Sequence, residues 1–139
     1  MQTIANAMDV GHPSNFERML WLYHQDRAAM CRDVTGSVHT DDEVKATIRR
    51  VYEERGYLLD PHSAIAYMGL VGQLGKAGPV TTVGIFLATA HPAKFGEIVE
   101  PIIGRPVATP APLAAALARP RHVVKINATF DAVRRTLGD

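Results

Sequence analysis

Val83-Gly84-Ile85-Phe86-Leu87-Ala88-Thr89-Ala90-His91-Pro92-Ala93-Lys94-Phe95 is the stretch on which the fold turns. From Thr81 to Ala88 the chain reads as its best strand, because the centre lacks polar alternation, as in a strand covered on both faces. Pro92 stands where a helix begins. Thr89, His91 and Lys94 therefore bring a hydroxyl, an imidazole and an ammonium into one strand-to-helix turn. Open α/β sheets hold ligands at the carboxyl ends of their strands. A turn of this kind offers fixed donors to a small anionic or heterocyclic ligand. The bland alternative is an ordinary turn in which Thr89 and His91 cap the helix.

Two more turns share this chemistry. In Gly11-His12-Pro13-Ser14-Asn15 and Leu59-Asp60-Pro61-His62-Ser63 a proline again stands near a helix start, with an imidazole and a hydroxyl beside it. In a parallel sheet all three turns gather at one rim, the usual ligand edge. Three independent helix caps explain the same residues equally well.

The remaining pattern predicts helices between these turns. Residues 1–13 read as extended. Ser14 and Glu17 form an S-x-x-E capping box, so a helix is expected from there to about Arg32. Thr40 and Glu43 form a second box, with Val44, Ile48, Val51 and Tyr52 at helical spacing and Gly56 as the stop. Tyr57–Leu59 is a short strand candidate. Asp60 caps an almost wholly apolar helix from His62 to about Gln73, which implies burial on more than one side. Pro92–Ile103 is helical, with Phe95, Ile98, Val99 and Ile102 on one face. Thr109–Leu117 is a short helix, His122–Ile126 an edge strand, and Thr129 caps a last helix over Phe130–Leu137. This order predicts one α/β unit over residues 1–139, with a mostly parallel sheet flanked by helices in a partial three-layer sandwich.

Composition narrows the function classes. The 139 residues are 47% hydrophobic and 21% charged, with a net charge of +1, which leaves no electrostatic footprint for nucleic acid. No apolar run approaches the length of a membrane span. Cys31 is the single cysteine and reads as a partly buried structural thiol, and a cytoplasmic location is the expectation. The six histidines show no pair at i, i+4 on an expected helix and no H-E-x-x-H, so no metal site is expected. Ser14 and Ser63 stand in capping contexts without a nucleophile elbow, which leaves a hydrolytic triad unsupported.

Four blocks stand in order: Met8 to Arg18, Asp60 to Ala64, Thr89 to Phe95, and Glu100-Pro101-Ile102-Ile103-Gly104 before a Pro/Ala/Leu stretch. Together they resemble the carboxy-terminal part of threonine synthase, a pyridoxal-phosphate enzyme of the tryptophan synthase beta-like fold type, over essentially the whole chain. The resemblance implies part of that enzyme's large domain. It implies pyridoxal 5'-phosphate as cofactor and O-phospho-L-homoserine as substrate of the complete enzyme. Thr89 is then the residue facing the cofactor's pyridine nitrogen, with Ala88 and Ala90 small enough to admit the ring. A neutral hydroxyl there does not hold that nitrogen protonated, which limits the ring as an electron sink. Asp9, Ser14, Asn15, Arg18, His62, His91 and Lys94 are the substrate-pocket candidates, Arg18 as a bidentate partner for phosphate. The family's Schiff-base lysine and glycine-rich phosphate loop lie upstream of the matching blocks, so Lys94 is not that lysine. The expectation is a fragment or truncated product, inactive alone, whose partner is the amino-terminal portion. A non-catalytic α/β ligand-binding or interaction module is the alternative. A stable monomer with cooperative unfolding favours the module, and aggregation favours a severed sheet.

Overall fold

In the computed structural model, residues 3–6, 13–76 and 83–138 are described. Two compact units divide the chain, Met1–Ala108 and Thr109–Asp139. The first holds helices α1 (Phe16–Leu22), α2 (Arg27–Asp33), α3 (Asp41–Arg55), α4 (Pro61–Lys76) and α5 (Gly96–Ile103), with a 3-10 turn over Pro92–Phe95 before α5. The second holds α6 (Ala111–Leu117) and α7 (Phe130–Leu137).

Helix α3 is the spine of the first unit. Thr40 Oγ1 accepts from the Glu43 N–H at 3.3 Å and Glu43 Oε2 accepts from the Thr40 N–H at 2.7 Å, so the expected capping box is closed. Gly56 ends the helix at φ 64°, where a side chain would be strained. Val44, Thr47, Ile48 and Val51 are buried at i, i+3, i+4 and i+7, the stripe of a one-sided helix. Helices α4 and α5 pack against this stripe. Leu59 and Ala64 join Val44, Ile48 and Val51 in the core, and Val99 of α5 is fully buried as well. The α5 face expected from the sequence is the one that packs, with Phe95 and Val99 buried and Ile98 and Ile102 half-buried.

Several expectations change. The single helix over 14–32 is two helices, because His24 and Gln25 take positive φ (50° and 63°) and Asp26 caps a new start by accepting from the Ala29 N–H at 3.0 Å. The Ser14/Glu17 box does not form. Helix α1 starts later, with Asn15 at the N-cap in helical geometry and no side-chain cap bond. Thr3–Asn6 is a turn, closed by the Asn6 N–H on the Thr3 carbonyl and tied to α3 by the Ile4 N–H donating to Asp41 Oδ1 at 3.3 Å. Cys31 is a free, exposed thiol. Helix α4 is fully buried only in its first turn, at Pro61, Ser63 and Ala64.

The expected parallel sheet is not seen among the described residues, which contain no strand. Tyr57–Leu59, residues 83–88 and His122–Ile126 are non-helical and make no ladder. The reason is physical: a helix closes its hydrogen bonds within itself, whereas a strand exists only against a partner. The run 83–88 nevertheless keeps a strand's alternation. A Cβ on Gly84 would lie 2.9 Å from the tips of Leu70 and Leu74, and the Phe86 ring meets Tyr67 edge-on at 5.7 Å. Val83, Ile85 and Leu87 between them are 84%, 79% and 75% exposed. This period of two belongs to an extended chain with one covered face.

Candidate functional site

The Thr89 turn is held by His91. The His91 backbone is extended (φ −83°, ψ 136°), Pro92 is the first residue of the 3-10 turn, and the Ala93 N–H donates to His91 Nδ1 at 3.1 Å. A backbone N–H only donates, so Nδ1 carries a lone pair and neutral His91 keeps its proton on Nε2, facing away from the cap. Thr89 is exposed, and no described residue hydrogen-bonds its hydroxyl. Of the two residues expected to share the capping, only His91 does so. Ala88 is exposed and Ala90 half-buried, so no bulky side chain flanks the hydroxyl in sequence; Lys94 is exposed.

The second turn is built around Asp60, which is 1% exposed. Its Oδ1 accepts from the His62 N–H at 2.9 Å and lies 3.2 Å from His62 Nδ1, while Ser63 Oγ donates to Oδ2. A buried carboxylate without partners is costly, and here three donors converge on it. An ionised carboxylate only accepts, so the proton of neutral His62 stands on Nδ1, the opposite tautomer from His91. The His62 ring lies against Phe95, with centroids 5.2 Å apart and planes at 56°. The second and third turns are thus joined through His62 and Phe95.

The first turn is not joined to them by any described contact. Asp9, like Gly11 and His12, lies outside the described residues. Ser14, Asn15 and Arg18 are exposed at the start of α1, with no side-chain hydrogen bond or ion pair to the other two turns. Arg18 instead lines a shallow recess with Glu17, Trp21 and Leu22. Among the described residues no group of three His, Cys, Asp or Glu side chains is arranged to hold a metal, and no helix is long and apolar enough to cross a membrane.

Two features escaped the sequence reading. Asp60 is a hub as well as a cap, and its signal was the run of donors at its second and third following residues. A groove of about 410 Å³ also runs beside the Thr89 turn, where Ala88 and Phe86 face Val51, Tyr67 and Arg55. It joins residues far apart in the chain, so no local pattern announces it.

Comparison with known proteins places the chain within one family. The family model "Threonine synthase, C-terminal" matches residues 63–137. Threonine synthase of Serratia marcescens is 36% identical over 135 residues, 97% of this chain and 30% of that protein. The Escherichia coli enzyme is 37% identical over the same shares. The crystal structure of Escherichia coli threonine synthase superposes with a TM-score of 0.77 at 36% identity, covering 97% of this chain and 30% of that one. A pyridoxal-phosphate-bound threonine synthase from Brucella melitensis superposes with a TM-score of 0.63 at 30% identity, covering 99% and 34%. This chain spans about 30% of the length of these curated relatives. Matched over more than half its length by the family model, and carrying the Thr89 and Asp60 turns in the order the resemblance requires, the chain belongs to the threonine synthase family, whose C-terminal portion it represents.

Proposed function

We propose that this chain works as the C-terminal part of a threonine synthase, a lyase of amino-acid biosynthesis. The whole protein converts O-phospho-L-homoserine and water to L-threonine and phosphate by a pyridoxal-phosphate-dependent β,γ-replacement in the cytoplasm. In this reading residues 83–88 form a strand of a mostly parallel sheet whose other members come from the amino-terminal portion. Exposed Val83, Ile85 and Leu87 support that arrangement, because they leave an apolar face to be covered.

The residues fit a pyridine ring. Thr89 presents an exposed hydroxyl that capping does not consume, between two alanines whose methyl groups leave room for a flat ring. When bound, pyridoxal phosphate supplies an electron-withdrawing ring that eases loss of protons from the substrate's α and β carbons. Thr89 holds that ring's nitrogen with a neutral hydroxyl and so leaves it without a fixed positive charge. His91 keeps the turn in place by capping, and Asp60 holds His62 against Phe95 behind it. Arg18, which has no ion-pair partner among the described residues, is assigned to the substrate phosphate, with Ser14 and Asn15 beside it at the start of α1. Lys94 and His91 add donors near the ring.

The observation that carries this reading is the Thr89 hydroxyl left free by the His91 cap. The test is Thr89→Val and Thr89→Ser in the whole protein, read by threonine formation and by the absorbance of the bound cofactor. Valine should lower kcat at least about tenfold, equivalent to about 1.4 kcal/mol in the barrier, and shift the spectrum; serine should restore both. A valine variant with unaltered rate and spectrum would sink the assignment. The 139-residue chain by itself should form no threonine.

A further inference from the structure

The segment following α5 encloses a groove of about 480 Å³ in which Leu58, Ile103, Pro106 and Val107 make apolar walls and His91 and Arg105 supply the polar groups. Its size falls within the range of small-molecule sites, roughly 300–1,000 Å³. Thr89 is not among its walls, but His91, assigned above as a donor near the ring, is, so the groove adjoins the Thr89 turn through His91.

The wall is held in place by named contacts. Gly104 turns the chain at φ 69°, and the Val107 N–H donates to Glu100 Oε1 at 2.9 Å, which folds residues 105–107 back over α5. Arg49 Nε donates to the Ile102 carbonyl at 3.2 Å and ties the end of α5 to α3. The Arg105 guanidinium lies over the Tyr52 ring, 4.9 Å from its centroid. Stacking of this kind fixes the plane of a guanidinium while its edge N–H groups stay open.

The electrostatics favour an anion. Among the described residues no carboxylate lines the groove. Arg105 has no ion-pair partner among the described residues, and the neighbouring Glu100 is engaged by Val107. His91 adds a second donor, because its cap bond consumes Nδ1 and leaves the proton on Nε2. A guanidinium binds a carboxylate through two parallel N–H groups. The apolar walls reward a short hydrocarbon chain attached to it.

We propose that this groove binds a small aliphatic carboxylate, with Arg105 and the His91 Nε2–H on the carboxylate and the Leu58, Ile103, Pro106 and Val107 surface on the hydrocarbon. The probe is butanoate, titrated into the full chain and followed by calorimetry and amide chemical shifts. Butylammonium, with the same chain and opposite charge, and inorganic phosphate, with charge and no chain, are the controls. Butanoate should bind, butylammonium should not, and phosphate should bind at least tenfold more weakly. Arg105→Gln should weaken butanoate at least tenfold, and Arg105→Lys less. His91→Asn is the second variant, since asparagine still accepts the Ala93 N–H and keeps the turn while losing the outward donor. It should weaken butanoate several-fold with unchanged circular dichroism. No saturable butanoate binding, equal binding of butylammonium, or full affinity in a folded Arg105→Gln chain would each overturn the proposal. Phosphate binding as tight as butanoate would overturn its aliphatic part. None of these readouts involves a cofactor, so they stand or fall apart from the threonine synthase activity.

Discussion

Helix α3 and the run 83–88 both carry apolar residues that pack near α4, yet they end in opposite states. The helix caps itself at Thr40 and Gly56, satisfies its backbone internally and buries Val44, Thr47, Ile48 and Val51. The run makes no backbone hydrogen bond to another described residue, covers Phe86 and leaves Val83, Ile85 and Leu87 exposed. A helix draws its partners from four residues away, whereas a strand draws them from another segment. The part of the molecule that leads into the Thr89 turn is therefore the part whose backbone is without partners among the described residues.

Amide hydrogen exchange should show the largest contrast. Interior amides of α3 should exchange more slowly than those of residues 84–88 by roughly three orders of magnitude, the protection given by about 4 kcal/mol of local stability. Equal rates would break the comparison. If residues 83–88 form the strand proposed above, the gap should close in the whole protein.

Substitution should reproduce the contrast on a smaller scale. Ile48→Ala removes a side chain at 0% exposure and should cost about 2–5 kcal/mol in urea unfolding. Val83→Ala, at an exposed apolar position, should stay within about 0.5 kcal/mol in this chain. A large loss at Val83 would mean that the outer face is already covered. Next in size is Thr40→Ala, which opens the capping box and should cost about 1 kcal/mol.

The smallest effect is the acid response of the same cap. The Thr40 backbone N–H, and then its hydroxyl, hold the Glu43 carboxyl below its ordinary value of 4.5. A lowered folded-state pKa gives stability that is fully present above the unfolded value and disappears as pH falls through the folded one. Fraying of the first turn of α3 should therefore begin below about pH 4.5 and be absent from Glu43→Gln, where the box is already weakened at neutral pH. A proton titration of the Glu43 amide resolves the two.

The legible parts of the fold were those specified by near neighbours. The Thr40-Asp41-Asp42-Glu43 box, the Gly56 stop, the α5 face and the Thr129 cap formed where the spacing placed them. Ser14 and Glu17 show the limit: their box was well spaced, yet α1 begins later and the motif falls out of register. The break at His24 and Gln25 was not legible, because positive φ is uncommon outside glycine, even in His where it is enriched, and Gln25 gives no local sign of it. In the site, the meeting of His62 with Phe95 depends on residues 33 positions apart, and the 410 Å³ groove on residues from three separate segments.

By itself the sequence determined the Thr40 and Thr129 caps of α3 and α7, the order of the motif blocks and hence the family, because each rests on residue types at short, fixed spacing. Only the tertiary structure decided which hydroxyl and which imidazole are free. His91 alone takes the cap that Thr89 and His91 were expected to share, and Asp60 pins His62 in one tautomer while the Ala93 N–H pins His91 in the other. A hydrogen bond commits a donor or acceptor to one partner, and which partner is within 3 Å depends on how the backbone is held in space.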